Sequence, residues 1–177
     1  MTKDTQNRIG TAFERNAAVL SRRPDVGVRT AVTSVRVVDG LTCEIEEGPW
    51  RMTVDMAEKH GGADSGPSPG ILGRGALGSC MAISYMMWAS RRGIPIDELE
   101  VEIRADYDAG TEFGTRQGRP AYPLVRCIVR IQTPALETDV RNLLDEADAH
   151  SGYVDLFRNG TDVQRELILQ TNRVRSS

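Results

Sequence analysis

Apolar and polar residues alternate along this chain with two periods, and the periods predict which segments are strands and which are helices. A period of two, typical of a strand with one buried face, is clearest in residues 49–56, 99–108 and 125–131. Residues 29–38 and 41–46 predict a hairpin, because they are joined at Asp39-Gly40, a dipeptide that suits a tight turn. A last strand is predicted at residues 163–169, followed by a frayed tail at 173–177.

Apolar residues three or four positions apart predict amphipathic helices at residues 4–21 and 137–149, with a further short turn at 151–157. Residues 57–66 and 109–120 are rich in glycine and charge and predict loops.

Residues 69–92 predict a helix of a different kind, with large apolar residues pointing to every side. Ser68 can cap it, Pro69 suits its first position, and Arg91-Arg92-Gly93 ends it. Polar residues and glycines interrupt the run, which argues against a membrane span of about 20 apolar residues. We therefore expect a central helix that is buried on all sides.

Strands followed by a buried helix, further strands and a second helix predict an α+β fold. We expect an N-terminal helical extension at residues 1–26 and one domain at residues 27–172.

The composition of the chain argues against several classes of function. The 177-residue chain has a net charge of −3 and a pI near 5.5, which argues against a nucleic-acid partner. Its N-terminus has no apolar signal core and nothing supports lipid anchoring, so we expect a cytoplasmic protein with no membrane partner. Two histidines far apart in sequence predict no metal site, and no cofactor is expected.

Three cysteines at irregular spacing predict reduced thiols rather than a disulfide framework. Cys43 and Cys127 share strand faces with apolar neighbours and are interpreted as core packing. Cys80 lies in the central helix and is either a small buried hydrophobe or a reactive thiol. A reactive Cys80 requires a nearby cation, since it lies about three turns from the helix start, where the helix dipole has faded. Arg74 projects from a different face of that helix.

The same helix carries a family resemblance. Gly66-Pro67-Ser68-Pro69, then Ala76-Leu77-Gly78-Ser79-Cys80, and a helix ending in Arg-Arg-Gly-Ile-Pro together resemble the OsmC/Ohr superfamily of osmotically induced and organic-hydroperoxide-resistance proteins. Upstream Val54-Asp55 and His60-Gly61-Gly62 fit the same order, and the resemblance covers roughly residues 28–170.

The resemblance implies an intertwined homodimer, with antiparallel sheets wrapped around buried central helices and active sites at the subunit boundary. It implies that the Cys80 thiolate attacks a peroxide and becomes a sulfenic acid. It also implies an activating arginine from the N-terminal hairpin, for which Arg36 is the first choice and Arg29 the second.

Two positions depart from the hydroperoxide reductases of that superfamily. Gly70 stands where they have a glutamate that orients the arginine, and Ser151 stands where they have a second, resolving cysteine. His150, beside the lost cysteine, is either a base that assists Cys80 or a helix-terminal histidine bonded to the last carbonyls.

Two functions therefore remain open. The first is a single-cysteine peroxidase, in which Cys80 reduces an organic hydroperoxide and an external thiol regenerates it. Its substrate would lie against Met81, Tyr85, Trp88 and Ser151, an apolar setting that favours hydrophobic peroxides. The second is a non-catalytic dimer that holds a small apolar, lipid-like ligand.

Overall fold

The computed structural model describes residues 2–170, so the predicted tail at 173–177 and the predicted domain end at residue 172 lie outside it. The helices are α1 (Lys3–Arg22), α2 (Pro69–Arg92), α3 (Ala109–Glu112), α4 (Glu137–Ala149) and α5 (Gly152–Asn159). The strands are β1 (Ser34–Asp39), β2 (Thr42–Glu47), β3 (Trp50–Val54), β4 (Glu98–Asp106) and β5 (Leu124–Gln132). Single 3₁₀ turns occur at Pro24–Gly27 and Glu58–His60.

Two antiparallel sheets form, one in the order β1-β2-β3 and the other from β4 and β5. The β1–β2 turn contains Gly40 at a φ of 50°, the left-handed conformation that a glycine adopts at little cost. The hairpin, the third strand and the strand pair after the central helix are thus confirmed, as is the α+β class.

The core lies between α2 and the elements that follow it. Leu77, Met81 and Tyr85 of α2 pack with Leu143 of α4 and Val154 of α5, and apolar side chains of β4 and β5 pack against the same cluster. A Cβ on Gly78 would lie 3.1 Å from Ile103 Cγ1, so the missing side chain lets β4 approach α2 closely.

The resemblance implies that a second copy of the chain helps to bury α2, and the single chain leaves one face of this helix open. Positions four residues apart form an exposed stripe along the helix: Ile71, Gly75, Ser79, Ile83 and Met87. Ile83 is 60% exposed, a large fraction for an apolar residue in the middle of a core helix. No helix of the described chain is both long and apolar enough to cross a bilayer.

The start of α2 also differs in detail from the prediction. Ser68 occupies the N-cap position, but its side chain makes no capping hydrogen bond. Its carbonyl oxygen instead accepts from the N–H groups of Ile71 and Leu72. Gly93 ends the helix in the left-handed conformation, as the sequence predicts.

The last predicted strand, residues 163–169, is not formed. In the described chain these residues follow α5 without strand pairing, and Val163 is 88% exposed. Their apolar side chains are typical of a strand, but a strand forms only when it pairs with the edge of a sheet. These residues pair with neither described sheet.

The loop between β3 and α2 is organised around Asp55, which is 1% exposed. Its carboxylate accepts hydrogen bonds from the N–H groups of Met56, Ala63 and Ser65 and from the hydroxyls of Ser65 and Thr42. The Ser65 hydroxyl bond is the largest of the causes that hold the pKa of Asp55 far below its usual value. The loop that leads into α2 is therefore built on one buried charge.

Helix α1 lies across the C-terminal half of α2. The rings of Phe13 and Trp88 meet edge to face with centroids 5.2 Å apart, and the Arg91 guanidinium lies 5.0 Å from the centre of each ring. Arg91 also forms an ion pair with Glu14 at 2.8 Å. The proposed boundary after residue 26 stays a prediction.

Candidate functional site

Cys80 is half-buried on α2, and its sulfur faces a serine rather than an arginine. Cys80 Sγ lies 3.4 Å from Ser151 Oγ, and Ser151 is only 4% exposed. Ser151 Oγ also accepts from the N–H of Val154, as the N-cap of α5. Because that bond occupies an acceptor position of the hydroxyl, its hydrogen is free to point at the sulfur.

The N-terminus of α5 therefore lies beside the thiol. A helix N-terminus carries partial positive charge and unpaired N–H groups, which stabilise a nearby anion. The start of α2 lies about three turns from Cys80, and no spacing in the sequence predicts that the start of α5 lies beside the thiol. The pairing of Cys80 with Ser151 across 71 positions in sequence is tertiary information that no local pattern carries.

The predicted arginines lie elsewhere in the single chain. Arg36 projects from β1 with its side chain 72% exposed and pairs with Glu44 at 2.9 Å. Arg29 Nε donates to the carbonyl of Val26 at 3.0 Å. Within residues 2–170, the one hydrogen-bond partner described for Cys80 Sγ is Ser151. The activating role of Arg36 stays a prediction.

His150 follows α4 and makes a local contact. Its Nδ1 lies 2.8 Å from the carbonyl oxygen of Glu146, and its ring centroid lies 4.9 Å from that of Trp88. This is the geometry of a helix-terminal histidine bonded to one of the last carbonyls, and the role of His150 as a base stays a prediction.

The predicted substrate residues fall in different places. Met81 and Tyr85 line a cavity of about 1010 Å³ between α2, β5, α4, α5 and the segment before β5. Tyr85 donates from its hydroxyl to Asp148 Oδ1 at 2.8 Å, and burial is the main cause that raises its pKa. Trp88 packs under α1, and Ser151 contacts Cys80, so the four residues do not form one surface. Their substrate role stays a prediction.

Cys127 corrects the expectation of core packing. It lies on the face of β5 that lines the cavity, but it remains exposed because nothing in the described chain closes the cavity over it. Partial desolvation raises the pKa of its thiol. Cys43 is half-buried between β1 and β3, in keeping with a packing role.

A further cation lies beside the same cavity. Arg74 Nη1 donates to the hydroxyl oxygen of Tyr122 at 3.1 Å, and Tyr122 lines the cavity. A Cβ on Gly70 would lie 3.2 Å from Arg74 Nη1 and 3.5 Å from Tyr122 Oη. The absence of a side chain at residue 70 therefore leaves space next to the guanidinium.

No cluster of three or more His, Cys, Asp or Glu side chains within residues 2–170 is arranged to hold a metal ion. The groups described at this site are the Cys80 thiol, the Ser151 hydroxyl and the N-terminus of α5.

Comparison with solved structures gives the same fold. An OsmC-like protein from Mycoplasma pneumoniae superimposes with a TM-score of 0.64 at 14% identity, covering 74% of this chain and 89% of the other. An organic hydroperoxide resistance protein OsmC from Legionella pneumophila gives 0.54 at 14% identity, covering 77% and 95%. An organic hydroperoxide resistance protein from Elizabethkingia anophelis, with thiocyanate bound, gives 0.54 at 14% identity, covering 75% and 90%.

No curated protein matches the sequence significantly. The sequence model of the OsmC-like protein family matches residues 61–166, a segment that runs from the glycine-rich loop before α2, through Cys80 and Ser151, to the extended segment after α5. That segment is more than half of the chain and contains the thiol site described above. The chain therefore belongs to the OsmC-like protein family.

Proposed function

We propose that this protein is a single-cysteine, thiol-dependent peroxidase that reduces organic hydroperoxides at Cys80. The observation that carries the proposal is the placement of Cys80 Sγ against Ser151 Oγ at the N-terminus of α5. Relatives of the same fold are named as organic hydroperoxide resistance proteins, which supports the substrate class.

The chemistry needs one thiolate and an external thiol. The Cys80 thiolate attacks the terminal oxygen of ROOH, the O–O bond breaks, and ROH leaves after taking up a proton, so the sulfur is oxidised to a sulfenic acid. A thiol R′SH then condenses with the sulfenic acid, releasing water and forming a mixed disulfide. A second R′SH displaces Cys80 and leaves R′SSR′. Serine at residue 151 forms no disulfide, so resolution falls to the external thiol.

Ser151 takes a different part in this proposal from that of a resolving cysteine. Its hydroxyl, at the N-terminus of α5, can donate a hydrogen bond to the sulfur and hold it in place for the attack. Ser151 acts through the sulfur and is therefore a positioning residue. Arg36 is proposed as a further activating group that a second copy of the chain brings to the site.

We further propose that the working form is a homodimer. Three apolar surfaces of the single chain support a partner. One is the exposed stripe of α2, and another is the first sheet, on which Trp50 is 76% exposed and Val37 64% exposed. The third is the unpaired segment at residues 163–169. Together they exceed the scattered apolar exposure that a monomer ordinarily shows.

A second function is favoured by the cavity. Its volume is about 1010 Å³, and apolar side chains of α2 and β5 form part of its lining beside polar and charged ones. Under this alternative the family fold is kept and Cys80 does not turn over.

Steady-state kinetics test the proposal. The purified protein should consume cumene hydroperoxide in the presence of dithiothreitol, and the Cys80→Ser variant should not. Cys127→Ser is the matched control, because it removes an exposed thiol that the mechanism does not use. Equal rates for the wild type and Cys80→Ser would overturn the proposed peroxidase.

A further inference from the structure

The cavity behind α2 has a charged end as well as apolar walls. Arg74, Leu77, Met81 and Tyr85 follow one another at steps of three and four residues, so they share one face of α2. Three of these residues line the cavity, and Arg74 continues the same face one turn further toward the start of the helix. Its guanidinium is joined to the cavity wall by the bond to Tyr122.

Arg74 has an incomplete set of partners. It is half-buried, and within residues 2–170 its described hydrogen-bond partner is the neutral hydroxyl of Tyr122, with no carboxylate in ion-pair contact. Other arginines of the described chain, such as Arg126 with Asp106 and Arg130 with Glu102, pair with acidic side chains. A guanidinium presents five N–H donors in a planar fork that fits a carboxylate. Most of that donor capacity is unused at Arg74.

Gly70 leaves room for the missing acceptor. A Cβ at this residue would lie 3.2 Å from Arg74 Nη1 and 3.5 Å from Tyr122 Oη. Because residue 70 has no side chain, none stands beside these two donors. An incoming carboxylate therefore meets no side chain of residue 70 at Arg74 or Tyr122.

The other charged residues of the lining include both signs. Asp145 and Asp148 line the cavity from α4, and Asp148 is engaged by Tyr85 and by the lining residue Arg158 at 3.7 Å. Glu112 and Arg119, which precede Tyr122 in sequence, also line it. Apolar side chains form the rest of the wall, among them Leu77, Met81, Val129 and Leu144.

We propose that this cavity binds an aliphatic carboxylate, with its head group on Arg74 and Tyr122 and its chain along the apolar wall of α2 and β5. The proposal deepens the ligand-binding alternative above and does not depend on the reactivity of Cys80, which is not among the residues that line the cavity. The head-group recognition belongs to Arg74, so Arg74 determines the specificity of the site.

Isothermal titration calorimetry with decanoate and 1-decanol tests the proposal on the full chain at pH 7 under reducing conditions. The two probes share a chain length and differ in charge. Decanoate should bind about tenfold or more tightly than the alcohol, the range that a charged hydrogen bond contributes. In Arg74→Gln the preference should disappear. Arg116→Gln, which removes an arginine that is already paired with Asp108, should retain it.

A second variant guards against loss of folding in Arg74→Gln. Gly70→Glu places a carboxylate beside the guanidinium while keeping Arg74, and an acidic residue is favourable in the first turn of a helix. It should bind decanoate about tenfold more weakly and leave decanol binding unchanged. Equal binding of both probes to the wild type would refute the head-group assignment but keep a ligand-binding cavity. Binding of neither probe would refute both, without bearing on peroxide reduction.

Discussion

Replacement of Ser151 by cysteine tests the geometry of the site most sharply. In the structure Cys80 Sγ and Ser151 Oγ are 3.4 Å apart, so a sulfur in place of the oxygen needs to move little to form a disulfide with Cys80. In Ser151→Cys, a sulfenic acid formed at Cys80 should be captured by the new thiol with loss of water. One equivalent of cumene hydroperoxide should then give a protein that has lost two hydrogen atoms, in place of a protein that has gained oxygen.

The size of the stabilisation follows from the loop that the bond would close. Residues 80 and 151 are 71 positions apart. For a loop of this length the chain-entropy treatment gives about 4 kcal/mol, because the cross-link restricts the unfolded chain. With a urea dependence of about 1–3 kcal/mol per molar, the oxidised variant should unfold at a midpoint more than about 1 M above that of its reduced form.

The assay is intact mass spectrometry followed by urea unfolding, in a background that carries Cys43→Ser and Cys127→Ser. Ser90→Cys is the matched control. It is also a serine-to-cysteine change at a buried position, but it lies on α2, ten positions from Cys80. Only Ser151→Cys should lose two hydrogen atoms and gain stability. If it accumulates oxygen like the control, the two side chains are not in contact and the reasoning about the site fails.

Three further changes test other parts of the structure. Ser151→Ala should slow alkylation of Cys80 by iodoacetamide roughly tenfold through loss of a charged hydrogen bond. The control Ser84→Ala, which loses a hydrogen bond to the Ala147 carbonyl, should leave the alkylation rate unchanged. Equal alkylation rates in the two variants would mean that Ser151 does not act on Cys80. Asp55→Asn should lower the urea midpoint at pH 7. Because folding lowers the pKa of Asp55, its contribution is present above the unfolded value near pH 4 and is lost as the pH falls, so the gap between variant and wild type should narrow below about pH 4. A gap that does not change with pH would contradict this assignment. Gly10→Ala should speed hydrogen exchange in α1, because its Cβ would lie 2.9 Å from the Ser90 carbonyl oxygen. The control Gly73→Ala, whose Cβ would have no contact within 4 Å, should leave the exchange of α1 unchanged. Unchanged exchange in Gly10→Ala would mean that α1 does not pack on α2 as described.

Local patterns in the sequence account for most of the fold. The β1–β2 hairpin, the alternating residues of β4 and the amphipathic stripe of α4 each carry their own periodicity, and the structure confirms all three. The central helix follows from its apolar run and from Gly93 at its end.

The differences between the sequence predictions and the single chain share a cause, since each depends on contacts that sequence spacing does not encode. Residues 163–169 have the composition of a strand but no described edge to pair with. The exposed stripe of α2 and the open position of Cys127 likewise reflect surfaces that the single chain does not cover. A helix that is apolar on all sides predicts cover on all sides, and the chain supplies it on only part of the circumference.

The site was predicted in part. Cys80 follows from its place in the central helix and from the family resemblance, and Ser151 follows from its place at the lost second cysteine. The contact between them, and the start of α5 behind it, arise only when α5 packs on α2. The helical spacing places Arg74 on a different face of α2 from Cys80, and its position beside a separate cavity depends on Tyr122, 48 positions away.

Chemical trapping of a sulfenic acid tests the central claim most directly. The wild-type protein is treated with one equivalent of cumene hydroperoxide in the presence of dimedone, and the adduct is located by peptide mass spectrometry. The account predicts a dimedone adduct at Cys80, with Cys43 and Cys127 unmodified. An unmodified Cys80, or an adduct at Cys127 alone, would contradict it.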